Sequence, residues 1–184
     1  EDLEPCGGRA EMESFMLEAA KAAADFYLEN SPANGIPYWD TGAPGLERIE
    51  NYLEMPADPF NDHEPVDSSA ASITAQGLLR LGNYLKNSGE ESQAAAYWQA
   101  GLTIADSLFD SPYLSVDTDH QGLILHSVYH RPNGWDYVQA GREVPCGESS
   151  MWGDYHAREL ALYIQRVAKG ETYLTFWSGE ELTS

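Results

Sequence analysis

Glu148-Ser149-Ser150-Met151-Trp152-Gly153-Asp154-Tyr155 opens the last apolar-periodic stretch of the chain. A carboxylate and two hydroxyls stand where a helix begins. That is N-cap chemistry, in which a short polar side chain accepts from the free N–H groups of the first turn. Capping does not ask for an indole, a glycine and a second carboxylate. Trp152, Gly153 and Asp154 fall within the first two turns, and Asp is a poor helix former there. One reading is a cap followed by an ordinary core Trp; the other is a helix start shaped for function. A second start of the same style, Asp67-Ser68-Ser69-Ala70-Ala71-Ser72, strengthens the functional reading.

Outward from these starts, apolar spacing predicts four helices. The first runs from about Glu11 to Glu29, with Met12, Met16, Ala19, Ala20, Ala23, Phe26 and Tyr27 on one face. The second follows Asp67 and aligns Ala70, Ile73, Thr74, Gly77, Leu78, Leu81 and Leu85. The third spans about Glu90 to Phe109, and the fourth runs from near Ser149 to about Lys169, where Gly170 supplies a stop. The second helix is rich in Ala, Ser, Thr and Gly, which permits close helix approach and suits an inner position. The third, more charged at its start, reads as outer.

Between the first two helices lies a Pro- and Gly-rich connection, 31–66. Loops of that length in a compact domain are more often functional than not. A second irregular region, 111–147, contains Leu123-Ile124-Leu125, a plausible short strand. By contrast, Asn87-Ser88-Gly89 is a tight turn. Long and short connections alternate, as in a toroid of helical hairpins with elaborated loops on one face. No self-similarity amounts to a tandem repeat.

The 184 residues suit a single domain, 1–184, or a fragment of a larger one, with 42% hydrophobic residues, eleven Tyr and five Trp. Ten Lys plus Arg against 30 Asp plus Glu give a formal charge of −20. That balance excludes nucleic acid and anionic membrane as general partners, since both need a basic footprint. No apolar run approaches the ~18 residues of a membrane span. Cys6 and Cys146 form neither a disulfide framework nor a zinc cluster, and free thiols are the default. No signal peptide is visible, but the chain opens at Glu1 without Met, so location stays open between cytoplasm and periplasm.

Asp117, Asp119, His120, His126 and His130 have metal-ligand chemistry, but their spacing matches no zinc or calcium pattern, and the solvated-loop reading is preferred. Neither metal nor cofactor is expected. Nucleophile elbow, phosphate loop and dinucleotide fingerprint are all missing. Glu148 and Asp154, six residues apart, point to different helix faces and do not form an acid/base pair across one bond. In the first long loop, Trp39 offers a stacking face and Asp40 comes next; the alternative has Trp39 as packing and Asp40 bonding its own loop backbone. Asp67 is first an N-cap and second a cleft residue.

Gly35-Ile36-Pro37-Tyr38-Trp39-Asp40, the Asp67 start, His126-Ser127-Val128-Tyr129-His130-Arg131-Pro132-Asn133-Gly134 and the Glu148 start together, in this order, resemble the C-terminal part of glycoside hydrolase family 88, the unsaturated glucuronyl hydrolases. The resemblance covers roughly residues 10 to 170. It implies an all-α fold, an arc of an (α/α)6 barrel, of whose twelve helices this chain holds about a third to a half. The implied reaction is protonation of the C4=C5 vinyl ether of an unsaturated uronic acid, addition of water at C5, and opening of the hemiketal. The implied substrate is an oligosaccharide ending in that sugar. In the family the catalytic aspartates lie in the N-terminal half, so no catalytic acid is assigned here. The missing N-terminal portion of the barrel is the expected partner, in the same protein or as another chain. Trp39, Asp40, Asp67, His130, Arg131, Trp152 and Asp154 are the expected substrate-binding residues. The two serines and lysine that some members use for sulfated fragments correspond to Val128, Arg131 and Asn133, so that pocket is not expected. Two alternatives remain: a non-catalytic helical carbohydrate-binding or scaffolding module, and an unsaturated rhamnogalacturonyl hydrolase. Three outcomes are expected: the loops 35–40, 126–134 and 148–155 converge on one face, Asp154 is buried and hydrogen-bonded, and the chain alone does not turn over substrate.

Overall fold

The computed structural model describes residues 4–172. Helices α1 (Arg9–Glu29), α2 (Ser68–Asn87), α3 (Glu91–Leu108) and α4 (Met151–Ala168) carry the fold, with short 3-10 turns at Glu4–Cys6, Pro44–Arg48 and Arg131–Asn133. The expected boundaries hold to within two residues, because both ends of the central elements are chemically marked. Asp67 caps α2, its Oδ1 accepting from Ser69 N at 3.0 Å and Ala70 N at 3.4 Å. Ser150 caps α4 by accepting from Gly153 N at 3.1 Å. Both helices end on a left-handed glycine, Gly89 (φ +85°) and Gly170 (φ +68°). The next residue's N–H then reaches back, Glu90 to Leu85 O at 2.9 Å and Glu171 to Arg166 O at 2.8 Å. This double closure satisfies last-turn carbonyls that would otherwise lack donors.

α2 is the centre of the arc and packs against both α3 and α4. Ala71, Ala75, Leu78, Leu79 and Leu85 of α2 meet Tyr97, Ile104 and Leu108 of α3 and Ala157, Leu160 and Tyr163 of α4 in one core. Glycines set the spacing. A Cβ on Gly101 would lie 2.9 Å from Leu79 Cγ, and one on Gly82 would lie 2.9 Å from the Ala94 carbonyl. The small-residue surface read from the sequence thus becomes a close α2–α3 crossing. The long first loop also belongs to the core, through Ile36, Tyr38, Leu46 and Val66.

Three expectations need correction. Of the face expected for α2, Leu78 and Leu85 are buried but Ile73 and Gly77 are exposed, and Ala71, Ala75 and Leu79 are buried instead, because this helix packs on both α3 and α4. The inward face expected for α1 comprises Met12, Met16, Ala19, Ala20, Ala23, Phe26 and Tyr27. In the structure no residue of α1 is fully buried, and Leu17, Ala24, Tyr27 and Leu28 touch the core while Met16 and Phe26 stand exposed. An alanine-rich helix carries apolar side chains on more than one stripe, so periodicity cannot choose between them. The segment Leu123–Leu125 is not a strand of a sheet. It makes one antiparallel bridge, Leu114 to Ile124, with Leu125 N donating to Tyr113 O at 2.7 Å. Among the described residues no helix is long and apolar enough to cross a membrane. Cys6 and Cys146 are free thiols, the first exposed and the second buried.

Candidate functional site

The site begins at the first turn of α2. Asp67 Oδ1, besides capping, accepts from Ser69 Oγ at 2.6 Å and from Val128 N at 3.3 Å. Ser69 Oγ in turn accepts from Trp152 Nε1 at 3.1 Å. One serine hydroxyl therefore ties the indole at the start of α4 to the cap of α2. Ser68 N donates to His126 O at 3.1 Å, Ser68 Oγ lies 3.2 Å from Ser127 Oγ, and Ser127 N donates to Glu148 O at 3.0 Å. Gly153 makes the junction possible, since a Cβ there would lie 2.9 Å from Ser127 Oγ and 3.1 Å from Ser69 Cβ. Both helix N-termini, the partially positive ends of their dipoles, thus sit side by side.

The loop 35–40 reaches the same place by backbone pairing. Asp67 N donates to Pro37 O at 2.8 Å, Trp39 N donates to Pro65 O at 3.0 Å, and Tyr38 bridges Val66. The three loops converge as expected.

The expected substrate-binding residues divide by what they touch. Trp39 is partly buried and its indole donates to Glu64 Oε2 at 2.8 Å. Asp40 is exposed and closes its own turn by accepting from Gly42 N at 2.7 Å, which is the loop-bonding alternative. Asp154 is hydrogen-bonded as expected but only half-buried, a correction to the expectation of burial. Its Oδ2 accepts from Leu123 N at 2.8 Å and its Oδ1 from Ile124 N at 2.9 Å, so it clamps an extended backbone that has no sheet partner for those groups. His130 is exposed, and its Nδ1 accepts from Asn133 N at 3.3 Å. Arg131 is half-exposed beside it. Arg142, the other cation near the motifs, instead fastens the loop 56–66 by donating from Nη2 to Phe60 O at 2.7 Å and Asn61 O at 2.9 Å.

Aromatic rings line the rim. Tyr129 lies with its ring centroid 5.3 Å from that of Trp152 and 5.9 Å from that of Trp135, and Trp135 lies 5.0 Å from the His130 ring. Asp136 fixes this rim by accepting from the backbone N–H groups of Tyr129 and His130.

His126 is the hidden post of the site. It is 2% exposed and adopts φ +68°, a left-handed conformation that side chains other than Gly, Asn, Asp and His rarely accept. Its Nδ1 accepts from Gly147 N at 3.0 Å, and its ring stands edge-on to Phe60 and Tyr113. Burial pushes its pKa down to about 4; the Pro112 carbonyl opposes this and the Arg142 charge reinforces it. The imidazole is neutral at pH 7. Among the described residues, no group of three or more His, Cys, Asp or Glu stands close enough to hold a metal ion.

Sequence reasoning does not reach Glu64, Ser69, Tyr129, Trp135 and Asp136 as site residues. Glu64 is 6% exposed and accepts from both Trp39 Nε1 and Gly45 N. Nothing in Asp62-His63-Glu64-Pro65 separates it from a solvated acid. Trp135 does carry a signal, an indole beside the turn glycine Gly134.

No protein-family model matches the chain. Over 158 residues, 86% of this chain and 35% of the relative, it is 30% identical to an unsaturated glucuronyl hydrolase from Bacillus sp. strain GL1. Over 149 residues, 78% of this chain and 29% of the relative, it is 28% identical to an unsaturated glucuronyl hydrolase from Formosa agariphila. The crystal structure of the Bacillus sp. GL1 enzyme, described as responsible for the degradation of glycosaminoglycan, superposes with a TM-score of 0.60 at 28% identity. That match covers 90% of this chain and 36% of the other. The four helices are therefore an arc of an (α/α)6 barrel. Over most of its length the chain is similar to unsaturated glucuronyl hydrolases, and it spans about a third of the length of the relatives it matches.

Proposed function

We propose that this chain forms one wall of a glycoside hydrolase that acts on oligosaccharides ending in an unsaturated glucuronyl unit. The observation that carries this reading is the Asp67–Ser69–Trp152 link, which fuses two helix starts and three loops into one polar, aromatic-rimmed face. A scaffold would not need an indole and a carboxylate joined through one hydroxyl at that position. In this reading His130, Arg131 and Trp152 meet the sugar, Asp67 and Asp154 hold the loops that present them, and Trp39 and Asp40 border the cleft.

The reaction is hydration of the C4=C5 vinyl ether. A carboxylic acid delivers a proton to C4, water adds at C5, and the resulting hemiketal opens and releases the remaining sugars. Such an acid must face the substrate with a free oxygen. Asp154 has both oxygens on backbone N–H groups, and the resemblance puts the family's catalytic aspartates in the N-terminal half, ahead of the residues matched here. We therefore assign the proton donor to barrel helices outside this chain, in the portion of the relatives that it does not match.

The test is the absorbance of the conjugated double bond, which disappears on turnover. The 184-residue chain alone should leave an unsaturated glucuronyl disaccharide intact, and activity should appear when the rest of the barrel is supplied. Turnover by the isolated chain would overturn the assignment of the acid.

The engaged carboxylates together with the exposed rings also favour a second reading, a carbohydrate-binding module without catalysis. Saccharide binding with no turnover in the completed barrel would establish that reading instead.

A further inference from the structure

At the far end of α2 and α4 from the candidate site, the last turns of these helices and the first two turns of α3 leave an open groove of about 580 Å³. Gly82 and Lys86 of α2, Ala94, Ala95 and Trp98 of α3 and Val167 of α4 line it. Gly82 and Ala94 are buried at its floor, and Val167 on its wall is 39% exposed. Trp98 is partly buried, its ring centroid 6.4 Å from that of Tyr163 in the core. Exposed apolar surface continuous with a core marks a place where something packs.

The chain itself supplies an occupant. After α4, left-handed Gly170 turns the backbone, Glu171 N donates to Arg166 O at 2.8 Å, and Arg166 Nη1 donates to Thr172 O at 3.0 Å. The chain therefore leaves Thr172 beside the residue that precedes Val167. The next five residues are Tyr173-Leu174-Thr175-Phe176-Trp177, four of them large and apolar. Five extended residues reach roughly 17 Å, more than the ~8–10 Å between packed helix axes, so the segment is long enough to cross the groove. Arg166 Nε is buried and has no acceptor among the described residues, and a backbone passing over it offers carbonyls. Charge points the same way. Lys86 lines the groove, and Arg166 and Lys169 stand at the end of α4, a concentration of cations in a chain of −20. Glu180 and Glu181 follow the aromatic segment, while Glu91 is the one acid on the lining. A second copy, itself at −20, is opposed by the same charge.

We propose that residues 173–177 dock in this groove as a strap, with Phe176 and Trp177 supplying the rings that pack against Trp98 and Val167. The strap ties the end of α4 to the α2–α3 pair. This inference is independent of the hydrolase reading, since it concerns the end of the arc away from the candidate site.

Chymotrypsin, which cuts after aromatic residues, tests the strap on the full chain, with the fragments read by mass. Ala95→Arg fills the groove from an exposed helix position, and Val167→Asp places a charge on its wall. Cleavage within 173–177 should be about tenfold faster in either variant than in the natural chain, the factor that separates a mostly docked from a mostly free segment. Cleavage at the exposed Tyr129 and Trp135 should be the same in all three, which shows that the variants are folded. Trp177→Ala should lower the thermal midpoint by about 3–6 °C, and combining it with Ala95→Arg should lower it little further, because both remove one contact. Equally rapid cleavage within 173–177 in all three chains, or full additivity of the two substitutions, refutes the strap. A tail cut freely in a natural chain that sediments as a dimer, or protected only once the rest of the barrel is added, also refutes it and gives the groove to a second copy or to a barrel helix.

Discussion

The indole N–H of Trp152 donates to Ser69 Oγ at 3.1 Å, across 83 residues of sequence. The same hydroxyl donates to Asp67 Oδ1 at 2.6 Å. Ser69 therefore orders the donors and acceptors in one direction, from indole to hydroxyl to carboxylate. It also locks the start of α4 against the start of α2.

Removing that hydroxyl leaves the half-buried indole N–H and one lone pair of Asp67 without their partner. Ser69→Ala is expected to cost about 1–2 kcal/mol, the range for a hydrogen bond whose loss strands a donor. Urea unfolding read by Trp fluorescence measures it. Ser69→Thr, which keeps the hydroxyl, should recover part of the loss.

Asp154 serves two backbone donors at once, so Asp154→Ala strands Leu123 N and Ile124 N together. A loss on the order of 3 kcal/mol is expected, and Asp154→Asn should fall between because its amide offers one acceptor. Amide hydrogen exchange at Leu123 and Ile124 should accelerate selectively. An unchanged unfolding midpoint for Asp154→Ala would refute the clamp.

Two glycines of α2 should respond oppositely to the same substitution. Gly77 is exposed and a Cβ there meets nothing within 4 Å, so Gly77→Ala should stabilise by up to about 1 kcal/mol through helix propensity. At Gly82 the Cβ would meet the Ala94 carbonyl at 2.9 Å and Trp98 N at 3.0 Å, backbone atoms that cannot step aside. Gly82→Ala should destabilise by about 1–3 kcal/mol despite the better propensity. Thermal midpoints of the two variants compare them directly.

His126 should make stability pH-dependent. Its folded pKa is lowered from 6.5 to about 4, so the unfolded chain takes up the proton first as pH falls. The contribution is complete above pH 6.5 and is lost progressively between there and about pH 4, by up to about 3 kcal/mol. His126→Asn tolerates the left-handed backbone but does not titrate. The difference in unfolding free energy between this variant and the natural chain should shift by that amount across the window. A difference constant with pH would rule out a neutral buried imidazole.

The local elements are legible because their signals lie within a few residues. Asp67 and Ser150 mark helix starts and Gly89 and Gly170 mark helix ends, but the face of α2 is only partly legible: of the expected set Leu78 and Leu85 are buried, Ile73 and Gly77 are exposed, and Ala71 and Ala75 are covered instead. The convergence of the three loops is also readable, since two helix starts of one style follow two long connections. The inward face of α1 is not legible: Phe26 and Leu28 are both apolar, and only the position of α2 and α3 decides which is covered.

The sequence by itself determined where the helices begin and end and which loops carry the polar and aromatic groups, because caps, turns and periodicity act over one or two turns of chain. Only the tertiary structure decided what those groups do. Ser69 became a bridge, Asp154 a clamp, His126 a neutral buried post and Trp135 part of an aromatic rim, and each role depends on a partner brought close by the fold. A carboxylate has two oxygens to satisfy wherever it lies, and its composition does not say whether backbone, water or sugar will meet them.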